Sequence, residues 1–125
     1  MIDNVFASVA VRDLVATIKW YEALLGHPAD STPMPTIAEW KFDGGGWLQV
    51  YQQPERASAG SFTFAVSDIE SEIRRVAALG LDTSQQAAGA MVKTLMITDP
   101  DGNHIAFAEA IDRTMARSRS AWSIQ

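Results

Sequence analysis

Proton transfer is the chemistry that side chains of this sequence offer most directly, because the chain has no cysteine and therefore no thiol nucleophile. His104 follows the turn at 99–102 (DPDG) and could act as a general base, since an imidazole changes its charge near neutral pH. Glu39 and Glu109 are candidate carboxylate partners for the imidazole. His104, Tyr51 and Glu39 are the candidate catalytic residues of a lyase or an isomerase. The competing interpretation is that His104 is a partly exposed turn residue without a chemical role.

Several classes of protein are excluded by what the sequence lacks. It contains no G-x-S-x-G nucleophile motif, no phosphate-binding P-loop and no G-x-G-x-x-G dinucleotide motif. The net charge of −5 repels a phosphate backbone, so we expect no nucleic-acid partner. No apolar run reaches the roughly 18 residues that a membrane-spanning helix needs, so we expect no membrane partner. With 125 residues, of which 47% are apolar, the chain is expected to form one globular domain.

The first half of the chain is predicted to alternate between strands and one helix. Leu14, Ile18, Tyr21 and Leu25 recur with helical spacing between an N-capping Asp13 and Gly26. The other first-half elements predicted are a strand at 4–11, a loop or edge strand at 27–35, and strands at 36–43 and 47–52 joined by a glycine turn at 44–46.

The second half repeats this order. Ser67 and Glu70 are predicted to form a capping box for a second helix, which Gly80 ends. The other second-half elements predicted are strands at 61–67, 91–98 and 103–110, with a weak strand or loop at 82–89.

An internal duplication explains the recurring order. Between residues 10 and 24, six of fifteen positions are identical to the residue 55 positions later. The sequence therefore predicts an α+β fold of two tandem βαβββ modules, at 1–58 and 59–110, within a single domain spanning 1–125. We expect a curved mixed sheet around a concave cavity, with the helices on the outside.

Five short motifs identify a known family by resemblance. They are SVAVRDL at 8–14, WY at 20–21, LLG at 24–26, FAVSDI at 64–69 and DPDGNHI at 99–105. The sequence resembles the vicinal oxygen chelate superfamily, whose fold is shared by glyoxalases, bleomycin-resistance proteins and extradiol dioxygenases. The resemblance covers roughly residues 3–110 and implies the two-module fold, but this superfamily supports many chemistries on one scaffold.

The resemblance also shows where metal-dependent relatives place their four ligands. The corresponding positions in this chain are Phe6, Gln49, Ser61 and Ala106. A phenyl ring and a methyl group cannot bind a metal ion, and neutral hydroxyl and amide oxygens are weak ligands for a transition metal. We therefore expect no metal, no cofactor and no metal-dependent enzyme activity.

The same positions predict what lines the cavity, because residues two apart on a strand share a face. The candidate ligand-binding residues are Phe6, Ser8, Trp47, Gln49, Tyr51, Ser61, Thr63 and His104. Which face of the strand at 36–43 points the same way is left open. Aromatic planes beside small polar groups suit a flat organic ligand, although the same aromatic residues could fill a core or a dimer interface.

Three functional hypotheses follow. The first is a metal-independent small-molecule binding protein of the bleomycin-resistance type, holding an aromatic or cationic organic ligand between modules or subunits. The alternatives are a glyoxalase-like lyase, isomerase or dioxygenase with an atypical metal site or none, and a non-catalytic association module. The resemblance also implies a homodimer, to which the tail 111–125 could contribute a packing arm anchored by Trp122. Because residues 1–4 lack the pattern of a signal peptide, we expect a cytoplasmic bacterial protein.

Overall fold

The chain forms eight strands and two α-helices within residues 1–110, the part that the computed structural model describes. The first-half elements are β1 Phe6–Val11, α1 Leu14–Leu25, β2 Ser31–Met34, β3 Ile37–Lys41 and β4 Trp47–Gln52. The second-half elements are β5 Ser61–Ala65, α2 Ile69–Ala78, β6 Gln86–Ala88, β7 Val92–Thr98 and β8 His104–Ala110. A short 3-10 turn at Pro54–Arg56 lies between the halves. The expected packing arm with Trp122 falls outside the described residues.

The strands form two four-stranded sheets with the same internal order. The first sheet is ordered β1-β4-β3-β2, with β1 parallel to β4 and the other neighbours antiparallel. The second sheet is ordered β5-β8-β7-β6, which repeats the first order four strands later. The predicted α+β fold of two tandem βαβββ modules is therefore confirmed, as two open mixed sheets.

Two compact units divide the chain. The first unit comprises Met1–Phe62 and Thr98–His104, and the second comprises, within the described residues, Thr63–Ile97 and residues 105–110. Each unit buries one face of its helix together with apolar residues of its strands. The buried apolar residues of the first unit are Val9, Ala10, Val11, Leu14, Tyr21, Leu24, Ala38, Trp40, Leu48 and Val50. Those of the second unit within the described residues are Ile69, Val76, Leu95, Ile97, Ile105, Phe107, Ala108 and Ala110.

Helix α1 begins and ends where the sequence predicts. The Asp13 side chain accepts a hydrogen bond from the Ala16 N–H at 3.4 Å, which satisfies one of the free amides of the first turn. Gly26 follows the helix with φ +86°, a left-handed conformation that glycine adopts without steric cost.

Helix α2 begins one residue later than the predicted capping box. Its N-cap is Asp68, whose side chain accepts from the Ser71 N–H at 3.2 Å, so the prediction of a Ser67–Glu70 capping box is wrong. The physical reason is position: Asp68 has the extended backbone of an N-cap residue (φ −144°), and Ser67 lies one residue outside it. Asp68 corresponds to Asp13 in the duplication, so the repeat itself carried the correct signal.

The last strand of each module also caps the helix of that module. The Leu14 N–H at the start of α1 donates to Gln52 Oε1 at 3.0 Å, and the Ile69 N–H at the start of α2 donates to Glu109 Oε1 at 2.7 Å. The duplication thus extends to single side-chain contacts. Acceptor oxygens at these positions satisfy amides that the helix cannot satisfy itself.

A buried polar network fixes helix α1 to the turn between β7 and β8. The Tyr21 hydroxyl, in a residue that is 0% exposed, donates to Asp99 Oδ2 at 2.7 Å. Burial, followed by the hydrogen bond and negative charge of Asp99, raises the pKa of Tyr21 far above its ordinary value. The folded state therefore holds this phenol in its protonated form.

Alkaline pH is expected to destabilise the protein through Tyr21. In the unfolded chain a tyrosine loses its proton near pH 10, whereas the folded state resists this loss because the pKa is raised. The contribution to stability is therefore complete below about pH 10 and falls as the pH rises further, by about 1.4 kcal/mol per pH unit. Urea unfolding between pH 8 and 11 should show this slope in the wild type and in Tyr51→Phe, which changes the other tyrosine of the chain. The slope of the unfolding free energy against pH should be smaller in Tyr21→Phe. An equal slope in all three proteins would contradict the role of Tyr21.

Candidate functional site

One face of the first sheet gathers most of the predicted ligand-binding residues. On β4, Leu48 and Val50 are buried, so the alternating Trp47, Gln49 and Tyr51 point to the opposite face. We call that face the open face. Its residues, read from the strand register, are Phe6, Ser8 and Ala10 on β1, Trp47, Gln49 and Tyr51 on β4, and Ile37, Glu39 and Lys41 on β3.

The register also settles which side of β3 belongs to this face. Glu39 pairs with Gln49, and Lys41 pairs with Trp47. Trp40 lies on the other side, where it is 0% exposed and its indole N–H donates to the His27 carbonyl at 3.0 Å. The orientation that the sequence left open is therefore Glu39 and Lys41 on the open face, with Trp40 in the core.

An aromatic pair occupies one end of the open face. The rings of Phe6 and Trp47 have centroids 5.8 Å apart and are tilted by 48°. Phe6 remains 53% exposed, which is unusual for a phenylalanine in a folded domain. The pair presents an apolar, planar surface on which another ring could stack.

A line of polar side chains crosses the three strands next to the aromatic pair. Gln49 Nε2 donates to Glu39 Oε2 at 2.9 Å, and Ser8 Oγ lies 3.5 Å from Gln49 Oε1. Gln49 and Glu39 are half-buried, whereas Ser8 is exposed. The open face therefore combines an apolar stacking surface with oriented hydrogen-bonding groups, which is the composition of a small-molecule site.

The remaining predicted ligand-binding residues belong to the second sheet. Ser61 and Thr63 are exposed on β5, where they alternate with half-buried Phe62 and Phe64. His104 is the first residue of β8; its side chain is exposed and its backbone N–H donates to the Gly60 carbonyl at 2.9 Å. The first sheet thus brings together Phe6, Ser8, Trp47, Gln49 and Tyr51 from the predicted set, and it adds Glu39 and Lys41.

The candidate catalytic residues are also divided between the two sheets. Glu39 and Tyr51 lie on the open face of the first sheet, with Gln49 between them in the register. Glu109, suggested as a partner for His104, instead caps helix α2. It lies five residues from His104 on β8 and hence on the opposite face of that strand. Among residues 1–110, no hydrogen bond or ion pair joins the imidazole to Glu39.

The side chains at the expected metal-ligand positions do not fit a metal ion. On the open face the possible metal-binding groups are the Gln49 amide, whose nitrogen is hydrogen-bonded to Glu39, the single Glu39 carboxylate, and the neutral hydroxyls of Ser8 and Tyr51. In the described part of the chain, no three histidine, cysteine, aspartate or glutamate side chains lie close enough to hold an ion together. Transition-metal sites in proteins are built from several such nitrogen, sulfur or carboxylate ligands.

Each unit also contains a groove that the sequence did not predict. The first, of about 400 Å³, lies between α1 and β2 and includes Val15 and Met34. The second, of about 330 Å³, lies between α2 and β6 and includes Glu70 and Lys93. Ile18 and Ile73, which are equivalent in the duplication, line the two grooves. We attribute both grooves to the repeated architecture, since the same helix position meets the same edge strand in each module.

Within residues 1–110, neither helix has the length and apolar character required to span a membrane.

Comparison with known proteins agrees with the fold. A family model described as a glyoxalase-like domain matches residues 5–108. The crystal structure of a glyoxalase/bleomycin resistance protein from Catenulispora acidiphila is 34% identical, covers 85% of this chain and 96% of its own, and has a TM-score of 0.77. A search of curated proteins finds no match.

Two more distant structures share the fold. A lactoylglutathione lyase from Agrobacterium tumefaciens is 18% identical over 86% of this chain and 92% of its own, with a TM-score of 0.71. A virulence protein from Salmonella typhimurium is 23% identical over 89% of this chain and 99% of its own, with a TM-score of 0.70. The family match over residues 5–108 and the 34% identity to the Catenulispora protein together show that this chain belongs to the glyoxalase-like domain family, within the vicinal oxygen chelate superfamily.

Proposed function

We propose that the chain is a metal-independent small-molecule binding protein that holds an aromatic or cationic organic ligand on the open face of its first sheet. The observation that carries this proposal is the exposed Phe6–Trp47 pair beside the Glu39–Gln49–Ser8 polar line. The similarity to a glyoxalase/bleomycin resistance protein supports it at the level of the family.

The exposed aromatic surface of Phe6 and Trp47 supplies the free energy for ligand binding. Covering an exposed aromatic ring with a flat ligand lowers the free energy, because apolar surface leaves water. The effect is largest when the rings stack or meet edge to face. Phe6 is 53% exposed and Trp47 is half-buried, so both retain surface for a ligand to cover. The polar line then fixes the orientation of the ligand through hydrogen bonds.

A panel of aromatic and cationic compounds tests the proposal, with binding detected by ligand-observed NMR. At least one member is expected to bind the wild type, and Phe6→Ala should weaken that binding. Val15→Ala, in the groove beside α1, is the matched control, since Val15 is an exposed residue of helix α1 and does not belong to the open face. Binding lost in the groove variant and kept in Phe6→Ala would contradict the proposed site.

Metal independence makes a separate prediction. Protein purified without a tag or added metal should contain no stoichiometric divalent ion by elemental analysis, because one carboxylate and one amide make a poor transition-metal site. Gln49→Ala should leave the metal content unchanged. A stoichiometric metal that Gln49→Ala removes would overturn this part of the proposal.

The proposal extends to a homodimer in the cytoplasm. Its support is the family resemblance, and sedimentation velocity measures the oligomeric state directly. A ligand that holds two subunits together would make the sedimentation coefficient depend on ligand concentration.

A further inference from the structure

We infer that the open face selects, among flat aromatic ligands, those whose ring carries a planar cationic group rich in N–H donors, such as an amidine or an amino-substituted heteroaromatic ring. This inference rests on the proposed function and assigns the chemical class of its ligand. It is carried by the orientation of Gln49 between Glu39 and Ser8.

The orientation of the Gln49 amide follows from its partner. A glutamate carboxylate only accepts hydrogen bonds, so the contact at 2.9 Å with Glu39 Oε2 must come from the amide NH₂ group. The amide oxygen therefore points the other way, towards Ser8 Oγ, where the distance is 3.5 Å. At that length the hydroxyl satisfies the oxygen poorly, so Gln49 Oε1 can still accept from a ligand.

Glu39 also retains accepting capacity. Its Oε2 accepts from the Gln49 amide, and no hydrogen bond to Oε1 is found among residues 1–110, so Oε1 can accept from a ligand; a carboxylate offers about four lone-pair positions. Glu39 takes part in none of the ion pairs found among residues 1–110. The polar line thus offers accepting oxygens and one negative charge, and a hydrogen bond to a charged group is stronger than one between neutral groups.

The other charges near this line are compatible with a cationic ligand. Lys41 lies on the same face opposite Trp47, with its side chain exposed to water. Asp30, whose carboxylate accepts from the Lys41 backbone N–H at 2.8 Å, adds a second acid at this edge. A lysine ammonium is strongly hydrated on a flexible stem, so Lys41 can turn away, whereas Glu39 is half-buried and held by Gln49.

The distances between the aromatic pair and the polar line suit a compact ligand. Trp47 and Gln49 are two residues apart on one strand, which is roughly 7 Å, and Glu39 lies on the neighbouring strand roughly 4.8 Å away. A single ring stacked on the Phe6–Trp47 pair can therefore direct a substituent towards Glu39. The aromatic pair provides the contact area, and the polar line decides which substituent is accepted.

Benzamidine, benzamide and benzoate test this inference, because they share one planar shape and differ in donors and charge. NMR titration of the wild type should give the affinity order benzamidine, benzamide, benzoate, with benzamidine about tenfold tighter than benzoate. Equal affinities would overturn the inference and leave the proposed function standing. Failure of benzamidine to bind would also overturn it, whereas the proposed function fails only if no member of the wider aromatic panel binds.

Glu39→Gln identifies the group responsible. It keeps the size of the side chain and removes its charge, so benzamidine affinity should fall about tenfold while benzamide affinity changes little. Glu55→Gln is the matched control, because Glu55 lies in the exposed 3-10 turn and its loss changes the net charge equally. Equal weakening by both variants would show that only the overall charge acts, and it would overturn the role of Glu39.

Discussion

Asp99→Ala is expected to lower the free energy of unfolding by about 3–5 kcal/mol, because it leaves several buried donors without an acceptor. Asp99 is 4% exposed and accepts four hydrogen bonds. The Tyr21 hydroxyl and Asn103 Nδ2 donate to Oδ2 at 2.7 and 2.8 Å, and the backbone N–H groups of Asp101 and Asn103 donate to Oδ1 at 2.9 Å each. The Tyr21 hydroxyl loses its acceptor in the variant.

The position of the network explains the size of the effect. Asn103 is 0% exposed and also donates from Nδ2 to the Ala10 carbonyl at 2.9 Å, while its Oδ1 accepts from the Gly60 N–H at 2.8 Å. One turn therefore holds helix α1, strand β1 and the segment before β5. Replacing Asp99 therefore weakens the contacts of the turn with all three segments together.

Urea denaturation of Asp99→Ala and Asp101→Ala measures the difference. Asp101 contacts the Arg12 side chain at 3.6 Å and accepts from the Arg12 N–H at 2.9 Å, near the surface. Its replacement should cost about 1 kcal/mol. If Asp99→Ala does not fold, Asp99→Asn keeps the shape and should still be less stable than Asp101→Asn. Similar losses of unfolding free energy at positions 99 and 101 would contradict the role of Asp99 as the main acceptor of the buried network.

Trp47→Ala is expected to weaken ligand binding by about 1–3 kcal/mol, because it removes the larger ring of the stacking surface. The corresponding change in dissociation constant is roughly 5- to 150-fold. Folding should be less affected than binding, since Trp47 is half-exposed and the core tryptophan of the first unit is Trp40.

Calorimetric titration of Trp47→Ala and Trp47→Phe with the tightest compound of the panel measures this effect. Trp47→Phe keeps an aromatic plane and should retain most of the affinity. An unchanged dissociation constant in Trp47→Ala would remove Trp47 from the site. Equal losses in both variants would show that shape at this position matters more than stacking.

The elements were predictable because their signals are local. Helix α1 has the apolar spacing of a single buried face, a capping aspartate and a terminal glycine. Strand β4 was predicted with the bounds that the structure gives, Trp47–Gln52, since three glycines mark its beginning. The second N-cap was predicted wrongly because the Ser-x-x-Glu pattern at 67–70 also fits a capping box.

The composition of the open face was only partly predictable. Alternation placed Trp47, Gln49 and Tyr51 on one side of β4, but the register that sets Glu39 opposite Gln49 depends on how the glycine turn folds. The role of Glu109 as a helix cap is a long-range contact, 40 residues from its partner. Such a contact leaves no local pattern in a sequence, and the same holds for the bond between Tyr21 and Asp99, 78 residues apart.

Mapping a bound ligand by backbone amide NMR shows whether the open face is the binding site. With the tightest compound of the aromatic panel, shift changes are expected on the three strands that carry Phe6, Glu39 and Trp47, and the Trp47 indole should respond most strongly. Changes confined to the helix side of the groove, around Val15 and Ile18 on α1, would place the ligand elsewhere and contradict the open face as the binding site.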